Sequence, residues 1–277
     1  MNTNVKSINV MHDIAYEHYP ETVSWLVKVY YKYYFPRFAK RADRIATVST
    51  FSKNDIVKQY RVDPAKIKVV YNGCNEAYHP IDETLKESTR GKWTGGKPYF
   101  IYIGSINPRK NIGNLLQAFE KYKTETKSDT KLLLIGKKMF MGSELGNILH
   151  DLNSRNDIQF LGRVEDANDV NNLISSSIAM TYVSVFEGFG IPCLEAMCCG
   201  TAVIASNTSS LPEVCGEAGF YVDPLSIDSI ADGMKKMAGD PGFRQVLINK
   251  GLEQSKKFSW QKTSELLWEL IEDCIKE

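Results

Sequence analysis

From Lys97 to Val222 short apolar, β-branched runs alternate with longer stretches of helical periodicity, and no other feature restricts the fold of this chain as tightly. The pattern predicts strands over residues 99–103, 131–135, 158–161, 178–183, 202–205 and 219–222. Between them it predicts helices over 112–122, about 142–153, 166–175, 192–199 and 211–215. Strands joined through helices run parallel, and burying those helices covers both faces of the sheet. The predicted fold class is therefore α/β, a doubly wound parallel sheet of the Rossmann-like kind. Such sheets bind ligands beyond the carboxyl ends of their strands, which directs attention to the loops leaving 99–103 and 178–183.

The later loop reads Val185-Phe186-Glu187-Gly188-Phe189-Gly190-Ile191-Pro192-Cys193-Leu194-Glu195. Pro192 suits the first position of a helix, where its missing N–H costs nothing, and this places Glu195 in the first turn. A two-glycine turn ahead of a helix leaves backbone N–H groups unpaired, and the positive end of the helix dipole adds to their pull on an anion. Glu187 and Glu195 flank that anion seat. Carboxylates repel phosphate and accept hydrogen bonds from hydroxyls, so a ligand carrying both, such as a nucleotide-sugar, satisfies the combination. In the alternative reading Glu195 only complements the dipole and Glu187 only ends a strand, and the motif alone leaves both open. The earlier loop reads Gly104-Ser105-Ile106-Asn107-Pro108-Arg109-Lys110-Asn111. If both loops face one crevice, Arg109 and Lys110 stabilise a departing diphosphate; otherwise they are a solvated surface pair.

At 277 residues the chain has room for two domains. Up to Asn72 it carries 12 Lys/Arg against 6 Asp/Glu, net +6, and the remainder carries 22 against 27, net −5. A basic first part suits an anionic surface or substrate, or is a solvated face. Strands at 5–10, 44–48 and 67–70 with two helices bury only a modest core there. Residues 21–41 crowd Trp25, Tyr30, Tyr31, Tyr33, Tyr34, Phe35 and Phe38 onto a helix bent or broken at Pro36, with polar positions confined to a narrow stripe. So wide an aromatic surface implies a cover: the large domain, a homodimer or partner chain, or residues preceding Met1. With Lys28, Lys32, Arg37, Lys40 and Arg41 it also has the makings of a peripheral membrane anchor, which the narrow polar stripe disfavours. Residues 74–96 read as a polar linker, and 226–277 as three helices. The six cysteines lack CxxC spacing, the first residues lack a signal-peptide core, and no apolar run approaches a membrane span. The expectation is a cytoplasmic protein with reduced thiols, touching a membrane only peripherally. Without an Asp-x-Asp motif, neither a metal nor a cofactor is expected.

EGFGIPCLE, GSINPRKN, FLGRV at 160–164, the His12-Asp13 pair and VVYNG at 69–73 together resemble retaining glycosyltransferases of the GT-B fold, glycosyl transferases group 1 or family 4. The resemblance runs over essentially the whole chain and is most specific from 97 to 222. It implies a complete C-terminal Rossmann-like donor domain at 97–258 and a partial N-terminal acceptor-side α/β domain at 1–73 that lacks its first half. A linker at 74–96 and a C-terminal helix at 259–277, crossing back to the N-terminal part, complete the implied organisation. The implied activity is transfer of a sugar, a hexose, from a nucleotide-diphosphate-sugar to a saccharide or lipid-linked acceptor, with retention and without a metal, in polysaccharide or glycan biosynthesis. Under the resemblance Glu187 touches the donor sugar, His12 lies beside sugar and acceptor, and Lys110 with Arg109 meets the diphosphate. Glu195 takes the ribose hydroxyls, the amides of Gly188, Phe189 and Gly190 hold phosphate, and backbone at Arg163 and Val164 meets the base. Ser105 stands where many relatives carry an arginine, and Arg109 supplies that charge.

A missing half-domain gives a second reading, a non-catalytic nucleotide-sugar-binding subunit that needs a partner chain. A sugar phosphorylase or epimerase of the same fold also fits. A dinucleotide-dependent oxidoreductase fits poorly, because Gly188-Phe189-Gly190 lacks the third glycine and Ala205-Ser206 stands where an acidic residue belongs. Nucleic acid is not among the expected partners.

Overall fold

The computed structural model describes residues 5–137 and 143–276. Two parallel sheets organise the chain. The smaller holds β1 (Ile8–Val10), β2 (Arg44–Thr47) and β3 (Ile67–Val69) in that order. Helices α1 (Ala15–His18) and α2 (Trp25–Arg41) connect β1 to β2, and α3 (Thr50–Tyr60) connects β2 to β3. After α4 (Glu83–Thr94) the larger sheet begins, with strands β4 (Tyr99–Ile103), β5 (Lys131–Ile135), β6 (Ile158–Gly162), β7 (Ala179–Tyr182), β8 (Ala202–Ser206) and β9 (Gly219–Val222). Their order is β6-β5-β4-β7-β8-β9, every pair parallel. The chain builds outward from β4 to β6, then crosses back to lay β7 against the other side of β4. The switch point between β4 and β7 is where a doubly wound sheet opens a ligand crevice.

The helices of this part are α5 (Ile112–Thr126), α6 (Ser143–Asp151), α7 (Ala167–Ser175), α8 (Ile191–Cys198), α9 (Leu211–Cys215), α10 (Ile227–Gly239), α11 (Pro241–Ser255) and α12 (Trp260–Lys276). With helices on both faces, central strands have no solvent side, and Tyr99, Phe100, Ile101 and Tyr102 are fully buried. The last helix, α12, leaves this body and covers the small sheet. Leu270 packs with Ala46 and Val70, flanked by Ile8, Leu266 and Leu267, and the Thr263 hydroxyl donates to the Tyr71 carbonyl at 2.6 Å. The crossing requires Gly73, where a Cβ would stand 2.1 Å from the Trp260 nitrogen. The opposite face of the small sheet is closed by Tyr31, Phe35 and Ala39 of α2 together with Ile45, Ile56 and Tyr60.

The local readings differ from the structure at four places. The stretch read as a linker contains α4, capped by Asp82, which accepts from the Leu85 N–H, and stopped by Gly95 at φ +62°. Its polar composition hid it, since the buried positions Thr89 and Thr94 satisfy their hydroxyls on helix carbonyls. The aromatic helix starts at Trp25 and continues through Pro36 to Arg41. The helix anticipated near 142 runs over Ser143–Asp151, and Gly142 lies outside the described residues. Helix α8 starts at Ile191, one residue before Pro192, so Glu195 is its fifth residue and not part of its first turn.

Candidate active site

The crevice is built where β4 and β7 end side by side. After β4 the chain makes a short turn over Pro108–Lys110, and the Val185 N–H donates to the Arg109 carbonyl, tying the two loops together. This places two cations on one carboxylate. Lys110 Nζ lies 2.5 Å from Glu187 Oε1 and 2.7 Å from the Tyr182 hydroxyl. Arg109 donates to Glu187 Oε2 at 3.1 Å and to the Phe186 carbonyl. Glu187 and Lys110 are buried, at 6% and 7% exposure, so neither charge has water to satisfy it. Burial alone raises the Glu187 carboxyl, but the Lys110 ammonium and Arg109 guanidinium outweigh it and hold Glu187 below the usual carboxylate range. The carboxylate is ionised because its partners are buried with it.

Glycine is required in the turn after Glu187. At Gly188 a Cβ would come 2.7 Å from Asp13 Cβ and Oδ2, and at Gly190, φ +100°, it would come 2.5 Å from Leu211 Cδ2. Asp13 of the His12-Asp13 pair thus stands directly against the turn, and the exposed His12 follows β1 beside it. Gly190 is the cap residue of α8, and its carbonyl accepts from the Cys193 N–H at 3.0 Å. Phe189 packs its ring on Tyr71 and Phe258.

Glu195 is largely buried, and burial raises its carboxyl to about 7, with the neighbouring Tyr78 hydroxyl working in the opposite direction. Ser105 lies in the β4 loop, where its hydroxyl accepts from the Asn107 side chain at 3.0 Å. Arg163 follows β6, an outer strand, with its side chain exposed and paired to Glu165, while Val164 packs on the large core. The structure therefore brings together Arg109, Lys110, Glu187, Gly188 and the His12-Asp13 pair. It leaves the Arg163 side chain outside that group.

The family model for glycosyl transferases group 1 matches residues 84–254, more than half of the chain. The chain belongs to this family. A second family model, glycosyltransferase family 4, matches residues 2–78. O-antigen chain mannosyltransferase B of Escherichia coli is 34% identical over 224 residues, 79% of this chain and 58% of that protein. O-antigen chain mannosyltransferase RfbU of Salmonella typhimurium is 33% identical over 77% of this chain and 56% of that one. The chain thus spans little more than half the length of these relatives. Among solved structures, Anabaena Alr3699/HepE in complex with UDP and glucose aligns with a TM-score of 0.83 at 19% identity, covering 96% of this chain and 71% of that one. A glycosyltransferase from Rickettsia africae aligns at 0.79 and 20% identity, covering 99% and 72%. These likenesses establish the GT-B type of fold.

In this member of the group 1 family the motif residues rest on a support that sequence reasoning missed. The Ser209 hydroxyl accepts from the Glu187 N–H at 3.1 Å, and the buried Ser210 hydroxyl lies 3.0 Å and 2.9 Å from the Glu187 and Phe189 carbonyls. The Gly188 carbonyl accepts from Ser49 at 2.6 Å and Ser52 at 3.1 Å, both on the N-terminal side. The Glu213 carboxylate of α9 accepts the Thr50 and Phe51 N–H groups at the start of α3 and the Tyr71 hydroxyl. The legible signal was the hydroxyl-rich run Asn207-Thr208-Ser209-Ser210 between a strand and a helix.

Proposed function

We propose that this chain carries out glycosyl transfer from a nucleotide-diphosphate-sugar to a saccharide or lipid-linked acceptor in polysaccharide biosynthesis, with a hexose, mannose by likeness to its relatives, as the group transferred. The observation that carries the proposal is the buried Arg109–Glu187–Lys110 cluster at the β4/β7 switch point, abutting a glycine turn and a helix start. Each part matches one part of such a donor. The helix start and the two cations meet a diphosphate, Glu187 meets sugar hydroxyls, and Glu195, one helical turn further on, meets ribose. The base end extends toward the backbone of Arg163 and Val164.

In the proposed reaction the bond between the anomeric carbon and the diphosphate oxygen breaks, and the acceptor hydroxyl attacks from the same face. Its proton passes to the departing phosphate oxygen, so configuration is retained without an enzyme nucleophile. Lys110, Arg109 and the α8 amides neutralise the departing charge in place of a metal, with His12 and Asp13 bordering the sugar.

A thermal-shift screen of nucleotide diphosphates and nucleotide-sugars tests the site. Wild type should be stabilised by at least one, and Lys110→Ala and Glu195→Ala should lose that response. If neither substitution weakens a hit, the site lies elsewhere. Product analysis with the stabilising donor then separates transfer from binding alone, and turnover that persists in excess EDTA supports the metal-free route.

A further inference from the structure

Among the described residues, Arg61, Asn111, Lys127 and Ser209 hold a positive φ without being glycine. Three of them have an ordinary reason. Arg61 and Lys127 cap the C-terminal ends of α3 and α5, where a left-handed residue closes the last carbonyls. Asn111 is of a type that visits this region routinely, and its side chain anchors the turn on the Val183 and Pro224 carbonyls. Ser209, at φ +58°, ends no helix and is not asparagine. It lies between the end of β8 at Ser206 and the start of α9 at Leu211. A Cβ in this conformation crowds the following carbonyl, so the loop carries strain that a glycine would not. Strain of this kind persists where the surrounding contacts hold it.

The neighbouring hydroxyls show what the unusual backbone achieves. Strands β7 and β8 pair as far as Tyr182 and Ala205. Beyond them, side chains take over from the ladder. Ser206 donates to the Ser184 carbonyl at 2.7 Å, and Ser210 donates to the Glu187 and Phe189 carbonyls at 3.0 Å and 2.9 Å. These bonds all satisfy carbonyls. The Glu187 N–H needs an acceptor instead, and the Ser209 hydroxyl supplies it at 3.1 Å. Ser209 and Ser210 thus hold the N–H and the carbonyl of one residue, which fixes the backbone from which the Glu187 side chain leaves. At its far end the carboxylate is held by Lys110 and Arg109. Under the glycosyl-transfer reading those two cations also meet the diphosphate. A donor that draws on them weakens the hold on the carboxylate and leaves the backbone hold in place.

We propose that Ser209 is a positioning residue for Glu187, kept in a left-handed conformation so that its hydroxyl takes the Glu187 N–H and the carboxylate stays at the donor sugar while the diphosphate engages Lys110 and Arg109. The role at the sugar rests on the glycosyl-transfer reading, and the hold on the Glu187 backbone does not. Stability and placement conflict at this position, since glycine relieves the strain and loses the hydroxyl.

Ser209→Gly and Ser209→Ala test it together, because both remove the hydroxyl and only the first removes the strain. At most positions alanine is the more stable of the two; here Ser209→Gly should unfold at the higher temperature. In both variants exchange of the Glu187 amide, read by NMR, should accelerate by about fivefold or more, the usual weight of one hydrogen bond. With a nucleotide-sugar that stabilises wild type, kcat should fall by a similar factor in both, while the thermal shift given by the nucleoside diphosphate alone stays as in wild type. A merely structural role would not separate the two. A higher unfolding temperature for Ser209→Ala than for Ser209→Gly overturns the proposal, as does unchanged exchange at Glu187. So does a kcat that falls in Ser209→Ala and is kept in Ser209→Gly, which assigns the effect to backbone shape and not to the hydroxyl. A wild type that no nucleotide-sugar stabilises and that transfers nothing overturns the glycosyl-transfer reading instead, with exchange and unfolding still deciding whether Ser209 holds Glu187.

Discussion

Glu187 shows how far one side chain depends on its neighbours. A carboxylate at 6% exposure is tolerable only because Lys110 and Arg109 close on its two oxygens. Removing one partner of a buried pair strands the other charge, typically at about 3–5 kcal/mol, and Arg109 keeps the loss here toward the lower end. Lys110→Met should therefore destabilise the chain by about 3 kcal/mol in denaturant unfolding. Glu187→Gln should cost less in that background than in wild type, where it also leaves Lys110 without its carboxylate; equal costs would show that the pair is not coupled as the distances indicate. Glu195 has no such partners, and burial holds its carboxyl at about 7, above the ordinary 4.5. Its folded-state pKa is raised, so its stabilising contribution is full below about pH 4.5 and is lost as pH rises through 7. Hydroxyls prefer the ionised acceptor, so donor binding should tighten as pH rises through 7. Titration calorimetry from about pH 6 to 8 should show up to a tenfold gain in wild type, the weight of about one pK unit, and a flat profile in Glu195→Gln.

At the scale of elements, α9 and α3 show how the two parts of the chain are joined. The first N–H groups of α3 lack partners within their own helix, and Glu213 supplies one from the other part of the chain. Hydrogen bonds to a charged acceptor contribute about 1.5–3 kcal/mol, and the dipole of α3 reinforces them. In Glu213→Ala, hydrogen exchange at Thr50 to Lys53 should accelerate at least tenfold, while β4 and β7 keep their protection. Unchanged exchange in α3 would mean that Glu213 is incidental to the joint. The serines that cradle residues 187–189 belong to the same arrangement, because Ser49 and Ser52 approach the Gly188 carbonyl from the same helix start.

For the whole molecule, α12 is the tie between the two sheets. Leu270 is 2% exposed and sits between Ala46 and Val70 on a sheet of only three strands. Leu270→Ala should cost about 2–4 kcal/mol, a typical price for a buried leucine. The loss should appear as faster proteolysis within residues 5–72, with the large sheet still resistant. Much of the large domain was legible beforehand, since a central run such as Tyr99–Ile103 is apolar throughout, as suits a strand covered on both faces. Helix α4 was not, because its buried positions are threonines whose hydroxyls are satisfied by its own carbonyls. The turn and the helix after it could be read from the glycines and Pro192, and the two cations from their place after a strand. Hydrophobic periodicity and turn chemistry act over a few residues, so the strands, the glycine turn at Gly188–Gly190 and the identity of the charged groups follow from local order along the chain. That Lys110, Arg109, Asp13, Ser210 and Glu213 converge on that turn depends on contacts between residues far apart in sequence. Those distances are set by sheet order and helix packing, which no local pattern encodes.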